Sequence, residues 1–321
     1  MRISYVAAVV AALELGFAQQ GYAQPYPSKP IRNIIAVSGG GENTARMISD
    51  QAAIFLGVPL VSETQSAAGG AVAVVNTMKA APDGYTILYA TAQNIVLRPF
   101  LVKNNPYDPQ RDLTPLAQVG ETTYALAGSM QFPASTLGEV IEYAKRNPGK
   151  VSYASTGIGT TGHLAGVLIE QLANVQMLHV PYKGGTQSMP DLIGGRVLLS
   201  FTTMSSFTSM VDAGKIRIVA FGQERRFERM PKIPTIAEVL PGFEIPPGWF
   251  GFFGPANMPP AVVQRLSDAV MRGARVPEVV RKLDDVGITI VTKGPDQYAE
   301  FIRQNIALAA RVMKTAGIQP E

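Results

Sequence analysis

Residues 157–162 read GIGTTG, a formal G-x-G-x-x-G that follows a β-like run, Val151 to Ser155. The chain continues HLAGVLIEQLANV, with apolar residues at helical spacing. A glycine loop between a strand and a helix can take a dinucleotide pyrophosphate. Glycine lets the backbone approach, and the helix start offers unpaired N–H groups. That fingerprint also wants an Asp or Glu about 20 residues on, at the end of the next strand, for the ribose hydroxyls. The next strand, MLHVP at 177–181, instead runs into Tyr182, Lys183 and Gly184. Lys183 would suit a 2′-phosphate, so an NADP-dependent enzyme built on the GIGTTG loop is the alternative reading. Against it, the fingerprint normally sits in the first βαβ unit, and here it lies mid-chain.

Other chemistries find less support. There is no G-x-S-x-G elbow for a serine nucleophile. The two histidines are His163 and His179. His179, inside MLHVP, reads as a satisfied core residue. His163 falls in the first turn of the helix after the glycine loop, where the dipole disfavours the imidazolium. It reads as a neutral ring that hydrogen-bonds the loop backbone and fixes its shape, since no positioned Asp or nucleophile would make it a general base. The chain has no cysteine and no metal-ligand spacing, so no catalytic residue, metal or cofactor is assigned. Asp284 and Asp285 read as a solvated helix face, and Trp249 as part of an apolar strand.

These residues must be held by a sizeable fold. The 321 residues are 46% apolar and 16% charged, as in a compact globular chain long enough for two domains. Twenty-eight basic and 24 acidic residues are interspersed, giving +4. No basic stripe with aromatics argues for nucleic acid. At the N-terminus, Arg2 precedes an apolar run from Ile3 to Leu13, and GYA at 21–23 offers small residues for cleavage. Residues 1–23 therefore read as a signal peptide cut near Ala23–Gln24, despite Glu14. An exported protein would meet little free NADP.

Strand and helix patterns then alternate. Strands are expected at 31–37, 58–63 and 85–90, each followed by a small-residue loop, and the pattern recurs at 151–174 and 177–193. The alternation argues an α/β fold with mostly parallel sheets. A C-terminal helix with Asp296 as its N-cap closes the chain. Loops after the strands are built largely from Gly, Ala, Ser and Thr: SGGG at 38–41, SAAGG at 66–70, TAQN at 91–94, STGIGTTG at 155–162 and KGG at 183–185. Ligands of open α/β sheets bind at such strand ends. Five loops of this kind read as one polar site assembled from two lobes.

The ordered motifs YPSKPIR at 26–32, APDGYTIL at 81–88, YDPQRDLTPLAQVG at 107–120, YASTGIGTTGHLAG at 153–166, VPYKGGTQSMPDLIGGRV at 180–197, IPTIAEVLPGFE at 233–244 and WFGFFGPANMPP at 249–260 carry a resemblance. The chain resembles the periplasmic substrate-binding proteins of tripartite tricarboxylate transporters, the Bug family, from about Tyr26 to its end. The resemblance implies a two-lobed, type II-like periplasmic-binding (clamshell) fold with a mixed, mostly parallel sheet in each lobe. Lobe one would comprise 24–123 and 247–321, and lobe two 124–246. It implies a small organic anion in the cleft, membrane permease subunits as partners, and a monomer in the periplasm. A sensor that presents its ligand to a receptor would use the same cleft. The carboxylate would enter lobe one through Ser38, Gly39, Gly40, Gly41, Ala68, Gly69, Gly70, Thr91 and Gln93, partly through water. Lobe two would clamp with Ser155, Thr156, Thr160 and Thr161, supported by His163, and with Tyr182, Lys183 and Gly184. Neutral donors and helix N-termini would suffice, without a buried Arg.

Two departures matter. The first loop, IIAVSGGGE, is shorter by about two residues than is common in the family, with Glu42 in the place of an Asp. Thr202 stands where relatives often carry an Asp that could pair with a ligand ammonium. The expected ligand is therefore an organic acid, a di- or tricarboxylate or an aromatic carboxylate, and not an amino acid. Calorimetric titration should show binding of plain carboxylates; tight binding of aspartate or glutamate with none of plain acids would overturn this.

Overall fold

The computed structural model describes residues 26–320, so the expected signal peptide lies outside the described residues. Eleven strands form two sheets. The first lobe begins with β1 (Ile31–Ile35), buried at every position but Arg32 and apolar but for Arg32 and Asn33. Such a run suits the middle of a sheet covered on both faces. It pairs in parallel with β2 (Leu60–Thr64) on one side and β3 (Thr86–Thr91) on the other. The connections are α1 (Gly40–Leu56) and α2 (Ala71–Met78). Beyond β3 lie β10 (Gly248–Pro255), β4 (Leu113–Thr122) and the short edge strand β11 (Ile288–Thr289).

The second sheet runs β7-β6-β8-β5-β9. Its members are β5 (Tyr124–Ser129), β6 (Val151–Ser155), β7 (Met177–Pro181), β8 (Leu199–Thr203) and β9 (Ile216–Phe221). Helix α3 (Leu137–Arg146) carries a Thr136/Glu139 capping box, and α4 (Thr161–Ala173) follows GIGTTG. Three C-terminal helices, α5 (Pro260–Ala274), α6 (Pro277–Asp284) and α7 (Pro295–Thr315), each begin with proline, whose missing N–H costs nothing there.

Both sheets are mixed, with a larger antiparallel share than the strand–helix alternation implies. The reason is the crossing between lobes. Strand β4 carries the chain out of the first sheet, β10 brings it back, and the two are neighbours, so they run antiparallel. Strand β5 leaves the crossing while β8 and β9 head toward it, so those pairings are antiparallel too. The parallel pairs are β1 with β2 and β3, and β6 with β7 and β8.

Trp249 is 1% exposed and packs edge-on against Tyr298 of α7, so it belongs to the core, as its apolar strand implies. Asp284 and Asp285 are exposed. At the start of α7 the expectation fails: Gly294 is the N-cap, Pro295 takes the first position, and Asp296 lies inside the first turn. There its charge still faces the dipole favourably.

Helix α5 lies on α1 through Gly273, where a Cβ would come within 2.8 Å of Ile48 O and Ala52 N. Backbone cannot yield cheaply at that distance. Gly273→Val should cost about 1–3 kcal/mol, read as a lower denaturation midpoint with unchanged slope.

Candidate functional site

The strand registers aim both lobes at one place. Thr122, where β4 leaves the first lobe, pairs with Gly248 at the start of β10, and Phe250 two residues on pairs with Thr91 at the end of β3. The carboxyl ends of the first lobe's parallel strands therefore face the crossing. In the second lobe Thr203, the end of β8, pairs with Tyr124, the first residue after the crossing. The ends of β6, β7 and β8 face it as well. Six loops leave these six ends. The lobes meet between them: a Cβ on Gly159 would run into the side chain of Leu101.

In lobe one, Ser38, Gly39 and Gly40 are exposed, and a Cβ on Gly39 or Gly40 would meet nothing within 4 Å. Gly39, at φ +67, is the N-cap of α1 and offers no side-chain hydrogen bond. Gly41 is different, since a Cβ there would lie 2.8 Å from Val37 Cγ2. Glu42 turns away: Arg46 donates to its Oε1 from Nε and Nη2 at 3.0 and 2.9 Å. Thr64 and Arg46 hold its carboxyl below the usual range. It braces α1 and offers the ligand no acid.

Ala68, Gly69 and Gly70 all have positive φ, at +50, +62 and +85. Gly70 is required there, because a Cβ would fall 2.5 Å from both Ala36 O and Asn94 Nδ2. Asn94 organises this side. Its Nδ2 donates to Gly69 O at 2.8 Å, and its Oδ1 accepts from Thr91 N and Oγ1 at 3.0 and 2.9 Å. Thr91 thus spends its hydroxyl proton inside the protein. Gln93 is exposed.

In lobe two, Thr160 caps α4 by backbone only, since its hydroxyl donates to Gly157 O at 2.7 Å. Thr161 is buried beside Tyr124, and Thr156 is half-buried. Gly162, the last glycine of GIGTTG, lies against Phe201 O, where any Cβ would clash. The motif's spacing therefore serves helix-to-strand packing. Tyr182 donates its hydroxyl to Asp191 Oδ2 at 2.6 Å. Burial and that carboxylate push its pKa up to about 12. Lys183 is exposed, and its N–H is taken by Gln187. A Cβ on Gly184 would meet open space. Thr202 is buried at the end of β8, its Oγ1 beside Gly185.

The histidines form one unit. Gly159 N donates to His163 Nδ1 at 3.0 Å, which leaves the ring proton on Nε2 and gives His163 the loop-shaping contact expected of it. His179 departs from its expected place. It is half-buried on the edge strand β7, stacked on His163 at 4.2 Å and on Tyr153 at 4.9 Å. Its Nε2 lies 2.7 Å from Ser155 Oγ, so it backs a site residue. Period-two apolarity cannot tell an edge strand from a central one.

Helices α1, α2 and α4, which start at the site, have no side-chain cap. Neither do α5, α6 and α7, where proline takes the first position instead. Capping boxes occur at Thr136/Glu139 and Thr235/Glu238, on other loops. The first N–H groups of an uncapped helix lack intrahelical partners and favour an anion. Among the described residues, no group of three or more His, Cys, Asp or Glu could hold a metal.

The family model described as the tripartite tricarboxylate transporter family receptor, TctC, matches residues 44–318. The chain belongs to this family. A UPF0065 protein from the gbd 5′ region of Cupriavidus necator is 32% identical over 316 residues, 98% of this chain and 95% of that one. BugT of Bordetella pertussis is 29% identical, with 94% of each chain covered. Among solved structures, the periplasmic binding protein BugD superposes with a TM-score of 0.77 at 29% identity, covering 92% of this chain and all of that one. Rpa4515 of R. palustris, solved with adipate, gives 0.80 at 27%, with 92% of this chain and all of that one covered. MatC of Rhodopseudomonas palustris, solved with malate, gives 0.73 at 25%, with 91% of this chain and all of that one covered. The two-lobed periplasmic-binding fold is therefore this receptor's fold.

Sequence reasoning missed Asn94 as an organiser, although TAQN contains it. It also missed Arg98, which no loop motif marks.

The histidine pair carries a pH dependence. Burial and the neighbouring His163 lower the His179 pKa from 6.5 to about 4, and burial lowers that of His163. Unfolded histidines take protons below about pH 6.5, whereas folded His179 resists until nearer 4 and folded His163 is also held below its usual range. Stability is therefore fully present above pH 6.5 and falls as pH drops toward 4. Melting curves across that window should show the loss, and a H163Q/H179Q double variant should show less of it. An equal slope in both would remove the pair as the cause.

Proposed function

We propose that this receptor is an exported binding protein that captures an organic carboxylate between its lobes and hands it to membrane permease subunits, catalysing nothing. Lobe one is taken as 24–123 with 247–321, and lobe two as 124–246. The observation that carries the reading is the set of uncapped helix starts at the ends of parallel strands. They supply backbone donors suited to holding an anion, and membership of a receptor family supports binding in place of catalysis. Adipate in Rpa4515 and malate in MatC support a di- or tricarboxylate as the ligand class here. Ser155, Thr156, Thr161 and the backbones of Gly39, Gly40, Gly69 and Gly184 are the contacts we assign. Thr91 and Thr160 act by shaping their loops. The receptor family and the reading of residues 1–23 support delivery from the periplasm, and we take the receptor to act as a monomer. No helix among the described residues is long and apolar enough to cross a membrane.

A thermal-shift panel of dicarboxylates, tricarboxylates, aromatic acids, amino acids and NADP tests this. A ligand at about 100 times its Kd adds about 2.7 kcal/mol to the folded state, enough for a shift of a few degrees. A shift with one class of carboxylate is expected. A shift with NADP alone would return the GIGTTG loop to the dinucleotide reading.

A further inference from the structure

Arg98 lies in a short turn of helix, Arg98–Phe100, just after the Thr91–Leu97 segment. It is half-buried. Its Nη1 would be 3.3 Å from a Cβ on Gly69, so the guanidinium adjoins the Ala68–Gly70 loop with no side chain between them. Three residues on, Leu101 is the lobe-one residue that meets Gly159 of lobe two. Arg98 therefore sits beside the seam between the lobes.

Its orientation is fixed by a closed circuit. Arg98 Nε donates to Asn105 Oδ1 at 3.1 Å, and Asn105 Nδ2 donates to Tyr107 O at 2.6 Å. The Tyr107 hydroxyl donates to Asn94 O at 2.7 Å, and Asn94 returns to Gly69 O at 2.8 Å. One edge of the guanidinium is thus anchored to the network that shapes the loop. Among the described residues, neither Nη donates to a protein acceptor and no carboxylate pairs with Arg98. Arg46, Arg196 and Arg226 each have one. A partly desolvated guanidinium without a counter-ion is costly, and its planar fork matches a carboxylate.

We infer that Arg98 is a specificity-determining residue: its two Nη groups take the ligand carboxylate that enters at the Ala68–Gly70 loop. The site then reads that group by charge as well as by neutral donors, and it rejects amides of the same shape. This rests on the carboxylate reading above and departs from the expectation that neutral donors would suffice without a buried Arg.

The test compares wild type with R98M and R98K by thermal shift and calorimetry. The probes are succinate, adipate, citrate and benzoate, with adipamide as the neutral isostere. Loss of one charge-assisted contact should weaken the acids roughly ten- to a hundredfold in R98M. R98K should recover part of this, and adipamide should bind neither wild type nor variant. Unliganded R98M should melt within a degree or two of wild type, because the lost charge had no counter-ion and only the Nε contact to Asn105 is given up. Acids held equally by wild type and R98M would overturn the inference and leave the carboxylate reading standing. Unliganded R98M melting several degrees lower would also overturn it, showing Arg98 to be a brace for Asn105. A wild type that no acid shifts would overturn both.

Discussion

Thr123 carries the chain from the first sheet into the second, and the site depends on how it is held. It is the only residue between β4 and β5. Its N–H donates to Gly287 O at 3.0 Å on the first lobe, and its C=O accepts from Met204 N at 2.8 Å on the second. Both backbone groups are spent, one on each side, and the residue is buried. The return crossing is adjacent, with Gly248 packed against Thr122 and Tyr124. Two neighbouring crossings of this kind define a hinge line. A hinge motion about this line would turn the lobes as bodies. Since both sets of parallel strand ends face that line, turning changes the gap between the loops and leaves each loop's shape alone.

The loops are stiff for reasons internal to each lobe. In lobe one a single buried amide, Asn94, ties three segments together and dictates glycine at position 70. In lobe two, His163 takes the Gly159 amide, Thr160 takes the Gly157 carbonyl, and His179 stands behind Ser155. The side chains that look most like ligand contacts are often spent on these internal bonds. What remains open is largely backbone N–H at helix starts. Donors fixed before the ligand arrives need no ordering when it binds, which preserves affinity.

That division of labour decides what could be read from sequence. Strand and helix patterns were legible because burial follows period, as in IRNII and in the alternation around GIGTTG. His163 was legible because its position relative to the loop fixes which backbone group it can reach. Thr91, Thr160 and Tyr182 look available in sequence, since a hydroxyl's partner is a tertiary fact: Asn94, Gly157 and Asp191 respectively. His179 looked like core because an edge strand carries no local mark. Arg98 was invisible for a related reason. An arginine matters when its counter-ion is missing, and a missing partner shows only when every neighbour is in place. The antiparallel pairings were hidden in the same way, because they follow from the return of β10 beside β4.

A site of largely neutral donors joined by a half-buried cation, as inferred for Arg98, has a physical logic for a protein that must also let go. A fully buried ion pair binds through a large attraction set against a large desolvation cost, and its rupture strands a charge. Backbone amides carry only partial charge, so their release strands little. A guanidinium that stays half in water recovers its solvation when the lobes part. Arg98 is placed for that: one edge is fixed to Asn105, and Leu101, next to the turn that carries it, meets lobe two at Gly159 through an uncharged contact. Closure would strengthen its field by excluding water, and opening would weaken it again. The charge would then act most when the cleft is shut and least when the ligand has to leave, with no change in any bond the arginine makes to its own protein.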